Sequence, residues 1–356
     1  MKYGLMTDIH FGIKKNSKII LDWQMKAFYK SFRIFKDHKV DNIIILGDVF
    51  DNRINNSTHV IHTFRTEFLD PLRRDFKDVY FIIGNHDMYY RNKRECNIIS
   101  ELLTERYNNV HVIDKITRID DLVMVPWICK EDDIRDLIYE RKDGGIVVGH
   151  LEINGFRMTS SGKPCDHGIN SSVFKGFDMV LSGHFHLKEK IGNIQYLGTM
   201  LGLNWAEYHG EHGVHILDTN KTDLRFYPLN INMFEVMKFE NRIYTIEELQ
   251  IYKNKIVRIF VNDGNDGLFD NLITQLSDIC FSYSKQYISK IVSKDKDITN
   301  PTLDNKDKGI NMIDSVEVML ENYLHETLPD YIESKLFKNL YNKVKTAAEK
   351  SMLVAR

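Results

Sequence analysis

The chain has 356 residues and carries 48 Lys and Arg against 50 Asp and Glu, which gives a formal net charge of −2. This balance excludes a uniformly basic nucleic-acid binder but not a local basic surface, because electrostatic focusing is local. With 43% hydrophobic and 28% charged residues, the composition is typical of a soluble globular protein. No run reaches the ~18 apolar residues of a membrane span, so we expect no membrane partner.

Short apolar runs rich in Ile, Val, Phe and Tyr recur through the first 230 residues, each of strand length and each bounded by polar residues or Gly. Residues 18–38 and 57–74 have helical period, and the first of these segments places Phe28, Phe32 and Phe35 on one face. The order of elements predicts an α/β fold, a sandwich of two β-sheets flanked by helices. The predicted strands are residues 3–7, 42–47, 78–83, 110–113, 122–127, 146–149, 178–182, 194–197, 213–217 and 224–227.

Beyond residue 230 the pattern changes to a small αβ unit, which we predict as a second domain at 231–292. It contains a predicted strand at 255–262, a helix at 268–280 and a strand near 286–292. The polar, turn-rich segment 293–309 then predicts a flexible linker.

The remaining segment, 310–356, has the pattern of two amphipathic helices broken at Pro329. Helices of this kind need a surface to cover. Two interpretations stay open, in which the helices pack on their own domain or form a hairpin that docks a partner protein.

The four cysteines are scattered along the chain and include no C-x-x-C pair. This spacing argues against a disulfide framework and against a zinc–thiolate site, and it fits a reducing compartment. We therefore expect a cytoplasmic protein. The cysteines are Cys96, Cys129, Cys165 and Cys280.

Five short motifs each follow a different predicted strand and hold the candidate functional residues. In an α/β fold the groups at strand ends converge along one edge of the sheet. Side chains two apart on an extended stretch point the same way, so an Asp-x-His or His-x-His pair can hold one ion. The motifs are TDIH with Asp8 and His10, GDVFD with Asp48 and Asp51, IIGNHD with Asn85, His86 and Asp87, VVGH with His150, and LSGHFH with His184 and His186.

The residue types in these motifs indicate the kind of ion. Imidazole, carboxylate and amide without thiolate suit Mn²⁺, Fe or Zn²⁺, whereas Ca²⁺ or Mg²⁺ would be expected to take oxygen ligands only. Seven candidate ligands are too many for one ion and fit two ions that share a carboxylate, for which Asp48 at the tip of a central strand is the candidate. The seven ligands are Asp8, His10, Asp48, Asn85, His150, His184 and His186.

Nine other histidines do not follow an apolar strand in this way. We interpret them as ordinary surface or core residues, because a histidine outside such a context is usually structural. They are residues 38, 59, 62, 111, 167, 209, 212, 215 and 325.

The ordered set D-x-H, G-D-x-x-D, G-N-H-D, G-H and G-H-x-H resembles the calcineurin-like metallophosphoesterase superfamily over roughly residues 1–220. The TDIHFG opening, GDVFD, VPW at 125–127 and GHLEING at 149–155 are similar to the SbcD-type DNA repair nucleases, above all to their phage form. The resemblance implies Mn²⁺ as the activating metal, with Mg²⁺ or Zn²⁺ as alternatives. It also implies that residues 231–292 form a capping domain and that 310–356 dock a Rad50/SbcC-like coiled-coil ATPase.

The resemblance further implies a homodimer formed through helices of the phosphoesterase domain. The Phe28, Phe32 and Phe35 stripe and the 57–74 helix are candidates for that contact. Packing in the chain's own core explains these stripes equally well.

The resemblance assigns roles to the motif residues at matching positions. His86 matches the proton-donating histidine of the family, and Asp87 would fix its tautomer. Asp51 stands where some members have a second histidine, so we expect it to orient a ligand histidine or a loop amide. One metal would take Asp8, His10, Asp48 and His186, and the second would take Asp48, Asn85, His150 and His184.

Basic residues lie just downstream of three motifs and are predicted at the mouth of the cleft. DNA needs cations along its backbone, and Tyr89 and Tyr90 could stack on bases or sugars. A solvated charged face is the alternative for each cluster. The predicted DNA-binding residues are Lys14, Lys15, Arg53, Arg91, Lys93 and Arg94.

We therefore predict a Mn²⁺-dependent DNA nuclease, a double-strand exonuclease and single-strand endonuclease of recombination and repair that uses a two-metal-activated hydroxide. A stand-alone phosphatase or small-molecule phosphodiesterase is the alternative, and such an enzyme would not need the tail at 310–356. A metal-bound scaffold without turnover is disfavoured by the full ligand set and by His86. If a phage encodes the chain, the compartment is the host-cell cytoplasm.

Overall fold

The computed structural model describes residues 1–104, 106–141, 144–158, 162, 164–262 and 266–287. The described residues all belong to one compact unit, Met1–Lys290. Within them, no helix is both long enough and apolar enough to cross a membrane. The predicted linker 293–309 and the predicted helices of 310–356 lie outside the described residues.

Seventeen strands lie in the described part of the chain. They are β1 Lys2–Met6, β2 Asn42–Leu46, β3 Val79–Ile82, β4 Met88–Tyr90, β5 Lys93–Asn97, β6 Val110–Ile113, β7 Thr117–Ile119, β8 Leu122–Val125, β9 Ile146–His150, β10 Met179–Gly183, β11 Glu189–Ile191, β12 Ile194–Tyr196, β13 Gly213–Asp218, β14 Asp223–Pro228, β15 Phe234–Lys238, β16 Ile256–Val261 and β17 Ser282–Tyr287.

The helices of the described residues are mostly short. They are α1 Ile13–Asn16, α2 Lys18–Asp37, α3 Thr58–Thr63, α4 Asp70–Asp75, α5 Ile98–Leu103, α6 Glu131–Glu140, α7 Ile246–Leu249 and α8 Asp266–Ser277, with a π turn at Phe64–Leu69 and 3₁₀ turns at Ser171–Phe174, Trp205–Glu207 and Gln250–Tyr252.

Two six-stranded sheets form the main body, in the orders β14-β13-β1-β2-β3-β6 and β11-β12-β10-β9-β8-β7. Parallel pairs fill the centre of each sheet, and antiparallel strands close the edges. The predicted α/β sandwich of two sheets flanked by helices is confirmed.

Strand β2 shows how the sequence produces this layering. All five of its residues are buried, as expected for a central strand that is covered on both faces. Ile43 and Ile45 pack in the cluster formed with α2, whereas Ile44 and Leu46 pack in the layer between the two sheets. The strand period of two therefore divides one apolar run between two cores.

The phenylalanine stripe of α2 packs inside the chain. Phe28 and Phe35 are almost fully buried, and the ring of Phe28 lies 4.6 Å from that of Phe68. As a candidate dimer contact this stripe is therefore wrong, because these rings already fill the chain's own core. The homodimer itself stays a prediction.

The single helix predicted at 57–74 is in fact α3, a π turn and α4. The π turn is seen where the N–H of Asp70 donates to the carbonyl of Arg65, five residues back. Pro71 follows directly and has no N–H of its own to donate, which explains why a regular helix is not continued through this segment.

A third, parallel sheet of β15, β16 and β17 follows the sandwich, and α8 shares its apolar cluster. The last strand begins at Ser282, earlier than the predicted strand near 286–292, because its SYSKQY sequence is polar and lacks the apolar signal of a strand. The antiparallel pair β4 and β5 was also missed by the sequence analysis, since most of its residues are exposed. The division into a domain at 1–230 and a capping domain at 231–292 stays a prediction.

Candidate metal centre

The loops that carry the motifs have unusual backbone conformations. Asp8, His10, Asp48 and His184 have positive φ angles of 50°, 52°, 48° and 86°. Such conformations cost roughly 1–3 kcal/mol each for residues other than Gly, and they cluster at functional sites. The Asp-x-His pair is therefore not extended as predicted, and its two side chains converge through left-handed turns instead.

Two glycines of the motifs let these loops approach one another. A Cβ atom on Gly84 would overlap the backbone nitrogen and the carboxylate of Asp48. At Gly47, where φ is 84°, a Cβ atom would overlap the imidazole of His150. Glycine is required at both positions because the backbone itself forms a wall of the site.

The first group of ligand atoms brings two imidazoles to one carboxylate. His10 Nε2 lies 3.2 Å from His186 Nε2, and Asp8 Oδ1 lies 4.0 Å and 3.8 Å from these two nitrogens. Asp48 Oδ2 is 3.8 Å from His10 Nε2. These atoms point at a common space, as the ligands of one ion would.

The second group lies on the other side of Asp48. Its Oδ2 atom is 3.3 Å from His150 Nε2, and Asn85 Oδ1 is 3.0 Å from that nitrogen and 3.1 Å from His184 Nδ1. The ring of Trp127 packs 4.9 Å from that of His184 and covers this side. The structure thus brings all seven predicted ligands together, with Asp48 between the two groups.

The outer ring nitrogens of two ligand histidines bind protein acceptors. His150 Nδ1 donates to the carbonyl of Leu46 at 2.7 Å, and His186 Nδ1 donates to Glu207 Oε1 at 2.8 Å. Each bond places the proton on Nδ1 and leaves Nε2 as the atom that faces the centre. This is the usual support for metal-binding histidines, since it sets both tautomer and ring orientation.

Glu207 was missed by the sequence analysis. It lies in the 3₁₀ turn Trp205–Glu207, is only 4% exposed, and also accepts from the Leu203 N–H at 2.7 Å. Burial opposes its ionisation, yet the hydrogen bond from His186 holds the pKa of Glu207 below its usual range. No local motif marks this residue, because only the fold brings it to His186.

Asp51 supports two histidines. Its carbonyl accepts from His86 Nδ1 at 2.7 Å, and its Oδ1 atom lies 3.3 Å from His10 Nδ1. The backbone N–H of His86 donates to Asp48 Oδ1 at 2.8 Å. The His86 ring is therefore attached to the second motif from both its side chain and its backbone.

The predicted role of Asp87 is wrong. Its buried carboxylate accepts the backbone N–H groups of Val49 at 2.9 Å, Phe50 at 3.2 Å and Gly84 at 2.9 Å. These bonds join the second and third motif loops, and the tautomer of His86 is set by the Asp51 carbonyl instead. Burial, followed by the charge of Asp48, raises the pKa of Asp87 to about 7.

The electrostatics of the site favour positive charge at its centre. Although burial disfavours the charged imidazole, Asp48 raises the pKa of His150 to about 9, and Glu207 with Asp8 raises that of His186 to about 9. Burial disfavours the Asp48 carboxylate, yet its histidine neighbours, above all His150, hold its pKa well below the usual range. Divalent cations would supply this positive charge, and the carboxylate, amide and imidazole atoms present fit them.

An open cleft of about 410 Å³ exposes the centre to solvent. His10, Asp48, His86 and His184 line it, and Lys14 borders it. A substrate phosphate in this cleft would meet both ligand groups and His86.

The predicted DNA-binding residues occupy different environments. Lys14 and Lys15 are exposed on the distorted turn α1, and Arg53 is half-buried. Arg91 and Lys93 are exposed in the hairpin of β4 and β5, which follows His86 and Asp87 in the chain.

Arg94 differs from the other basic residues because its guanidinium is already engaged. It donates to both carboxylate oxygens of Asp133 at 2.7 Å and 2.8 Å, and to the carbonyls of Trp127 and Asp114. This mostly buried pair ties the hairpin to the start of α6. We therefore leave Arg94 out of the proposed DNA surface.

Comparison with known proteins agrees with the geometry. The sequence model of the calcineurin-like phosphoesterase family matches residues 1–188. The chain belongs to this family. The resemblance seen in the sequence is thus confirmed, and the protein is a metal-dependent phosphoesterase whose fold implies divalent metal ions.

Two curated relatives are similar over most of the chain. Exonuclease subunit 1 of Enterobacteria phage T4 is 27% identical over 341 residues, which cover 94% of this chain and 95% of that protein. The SbcD subunit of the nuclease SbcCD from Staphylococcus saprophyticus is 24% identical over 289 residues, covering 70% and 75%. A dimetal phosphatase from Danio rerio aligns with a TM-score of 0.41 and 12% identity over 61% of this chain and 91% of that one, too slight a likeness to add support.

Replacing Glu207 by Gln tests its support of His186. We expect the affinity for divalent ions to fall about 10- to 100-fold, the usual effect of losing a partner that orients a ligand. Calorimetric titration of the chelator-treated protein measures it. Glu211→Gln is the matched control, because Glu211 is exposed and pairs with Lys188. Equal affinities of the two variants would contradict the role of Glu207.

Proposed function

We propose that this phosphoesterase is a DNA nuclease that uses Mn²⁺, with double-strand exonuclease and single-strand endonuclease activity. The observation that carries the proposal is the pair of ligand groups sharing Asp48, set beside His86 in an open cleft. The names of the two curated relatives, an exonuclease subunit and a nuclease subunit, support DNA as the substrate. Recombination and repair in the host-cell cytoplasm is the setting we infer for it.

The chain's own residues would hold the two ions and place the scissile phosphate. Asp8, His10 and His186 would bind one ion, Asn85, His150 and His184 the other, and Asp48 both. When bound, the ions would activate water as the nucleophile and neutralise charge on the phosphate. Because each side chain sits at the end of a buried strand or in its following loop, the constellation is held without a large rearrangement.

His86 is placed to act on the leaving group. Its Nδ1–H donates to the Asp51 carbonyl, so Nε2 is the ring atom left for proton transfer. In the protonated ring, the Nε2–H would pass to the departing sugar oxygen as the phosphorus–oxygen bond breaks, and the ring would become neutral. The Asp51 carbonyl keeps the ring in the required orientation in both states.

Replacing His86 by Ala tests this assignment. We expect cleavage of linear duplex and single-stranded DNA in Mn²⁺ to fall about 10²- to 10⁴-fold, because the proton donor is lost. Metal binding measured by calorimetry should stay near that of the unmodified protein. His111→Ala is the control, since His111 pairs with Asp78 at the opposite edge of the sheet.

Loss of bound metal in the His86→Ala protein would instead make His86 a ligand. A protein that cleaves small phosphodiesters in Mn²⁺ but neither form of DNA would favour the alternative function, a stand-alone phosphodiesterase.

The hairpin of β4 and β5 is the proposed contact with the DNA backbone. Tyr89 and Tyr90 are 50% and 52% exposed, and Lys93 Nζ lies 5.9 Å from the ring centre of Tyr90. Exposed aromatic rings beside Arg91 combine stacking surface with cations, as in proteins that bind nucleic-acid strands. Lys14, Lys15 and Arg53 would extend this surface on the loops of the first two motifs.

Replacing Arg91 and Lys93 together by Ala tests the hairpin. The slope of log K against log salt concentration for duplex binding should become less steep by about 2, because two phosphate contacts are lost. Lys77 and Lys221, exposed at the other edge of the sheet, form the matched control pair. An unchanged slope in the hairpin variant would exclude these two residues from the DNA surface.

We also propose that residues 310–356 dock a Rad50/SbcC-like coiled-coil ATPase. The support is the amphipathic pattern of this segment together with the names of both relatives, each of which is a subunit.

Truncation at residue 309 tests the partner. The full chain should capture the ATPase encoded in the same genome, whereas the shortened chain should not. The full-length His86→Ala variant should still capture it, because catalysis and docking use different residues. Equal capture by the shortened chain would overturn the assignment.

A further inference from the structure

A second cluster of metal-binding side chains lies beside the metal centre. His167 Nδ1 lies 3.4 Å from Cys165 Sγ, and its Nε2 lies 3.3 Å from Glu152 Oε1. One ligand atom from each of the three residues lies within 4.8 Å of the other two. We propose that Glu152, Cys165 and His167 form a separate site for a thiophilic divalent cation of the zinc kind.

The backbone around this cluster is already organised. Cys165 donates its N–H to the Phe156 carbonyl at 2.7 Å and accepts the Gly155 N–H at 2.8 Å. Ile169 donates to the Glu152 carbonyl at 2.8 Å. These bonds pair the segment that carries Cys165 and His167 with the segment that follows β9. Binding an ion would therefore need adjustment of side chains and not folding of a loop.

The dimensions fit a tetrahedral ion after a small contraction. Bond lengths of about 2.0 Å to nitrogen or oxygen and 2.3 Å to sulfur place neighbouring ligand atoms about 3.3–3.7 Å apart. The side chain of His167 is 62% exposed and can move inward, whereas Cys165 is 5% exposed and fixes the position of the sulfur. Three protein ligands leave the fourth position, on the exposed side, for water or an external ligand.

The ligand chemistry differs from that of the main centre. The seven residues there include no thiol, whereas Cys165 supplies a soft ligand that selects zinc-like ions. The sequence analysis argued against such a site from the absence of C-x-x-C and interpreted His167 as ordinary. Its third ligand, Glu152, comes from a different loop, so no spacing rule could reveal it.

Glu152 also connects this site to the main centre. Its Oε1 atom lies 3.6 Å from Nε2 of His184, a ligand of the second group. An ion on Cys165 and His167 would hold the Glu152 carboxylate in place and thereby position the His184 ring. Glu152 is in this sense a positioning residue for the main centre.

Cobalt substitution tests the proposal, because only a cysteine ligand produces a near-ultraviolet thiolate-to-Co²⁺ charge-transfer band. Co²⁺ titration of the chelator-treated full chain should develop this band to about one equivalent per chain. Cys165→Ser should abolish it, and Cys96→Ser, at an exposed cysteine, should leave it unchanged. This readout does not depend on the proposed nuclease activity.

His167→Gln keeps the test decisive if the buried Cys165→Ser substitution impairs folding, since His167 is exposed. The Co²⁺ dissociation constant read from the band should rise at least about tenfold, because even lost supporting residues cost that much. Absence of the band at saturating Co²⁺, an unchanged dissociation constant in His167→Gln, or loss of the band in Cys129→Ser would each overturn the proposal.

Discussion

The buried carboxylate of Asp48 is the constraint on which the site depends. It stands at the end of β2, a strand without exposed residues, where an uncompensated charge would cost several kcal/mol. Its two oxygens meet the backbone N–H of His86 and the imidazoles of His10 and His150. The close approach requires glycine at Gly84, so the local backbone, the strand ends and the ligand groups form one arrangement.

Supporting contacts turn this cluster of side chains into a defined centre. The imidazoles of His150, His186 and His86 each bind an acceptor through Nδ1, and three different kinds of acceptor serve, a strand carbonyl, a carboxylate and a loop carbonyl. Each bond leaves Nε2 directed at the cleft, where it can bind an ion or transfer a proton. The left-handed loops add strain that the packed sandwich must offset, which is common where side-chain position matters more than local stability.

Much of the fold and of the centre could be predicted because the signals are local. Apolar runs such as that of β2 mark buried strands, and a Gly, Asp or His after such a run marks the sheet edge. The prediction failed where the relevant neighbour is distant in the chain. Asp87 binds three backbone N–H groups and not His86, Arg94 is held by Asp133, and the Phe28 stripe faces the chain's own core.

The sequence by itself determined the types of ligand, their order and the sandwich that collects them, because these follow from residue chemistry and from strand and helix periods. Only the tertiary structure decided which partner each ligand meets. Leu46 lies 104 residues from His150, Glu207 lies 21 from His186, and the Asp51 carbonyl lies 35 from His86. A hydrogen bond depends on distance and direction in space, and no spacing along the chain encodes these for loops that meet at a sheet edge.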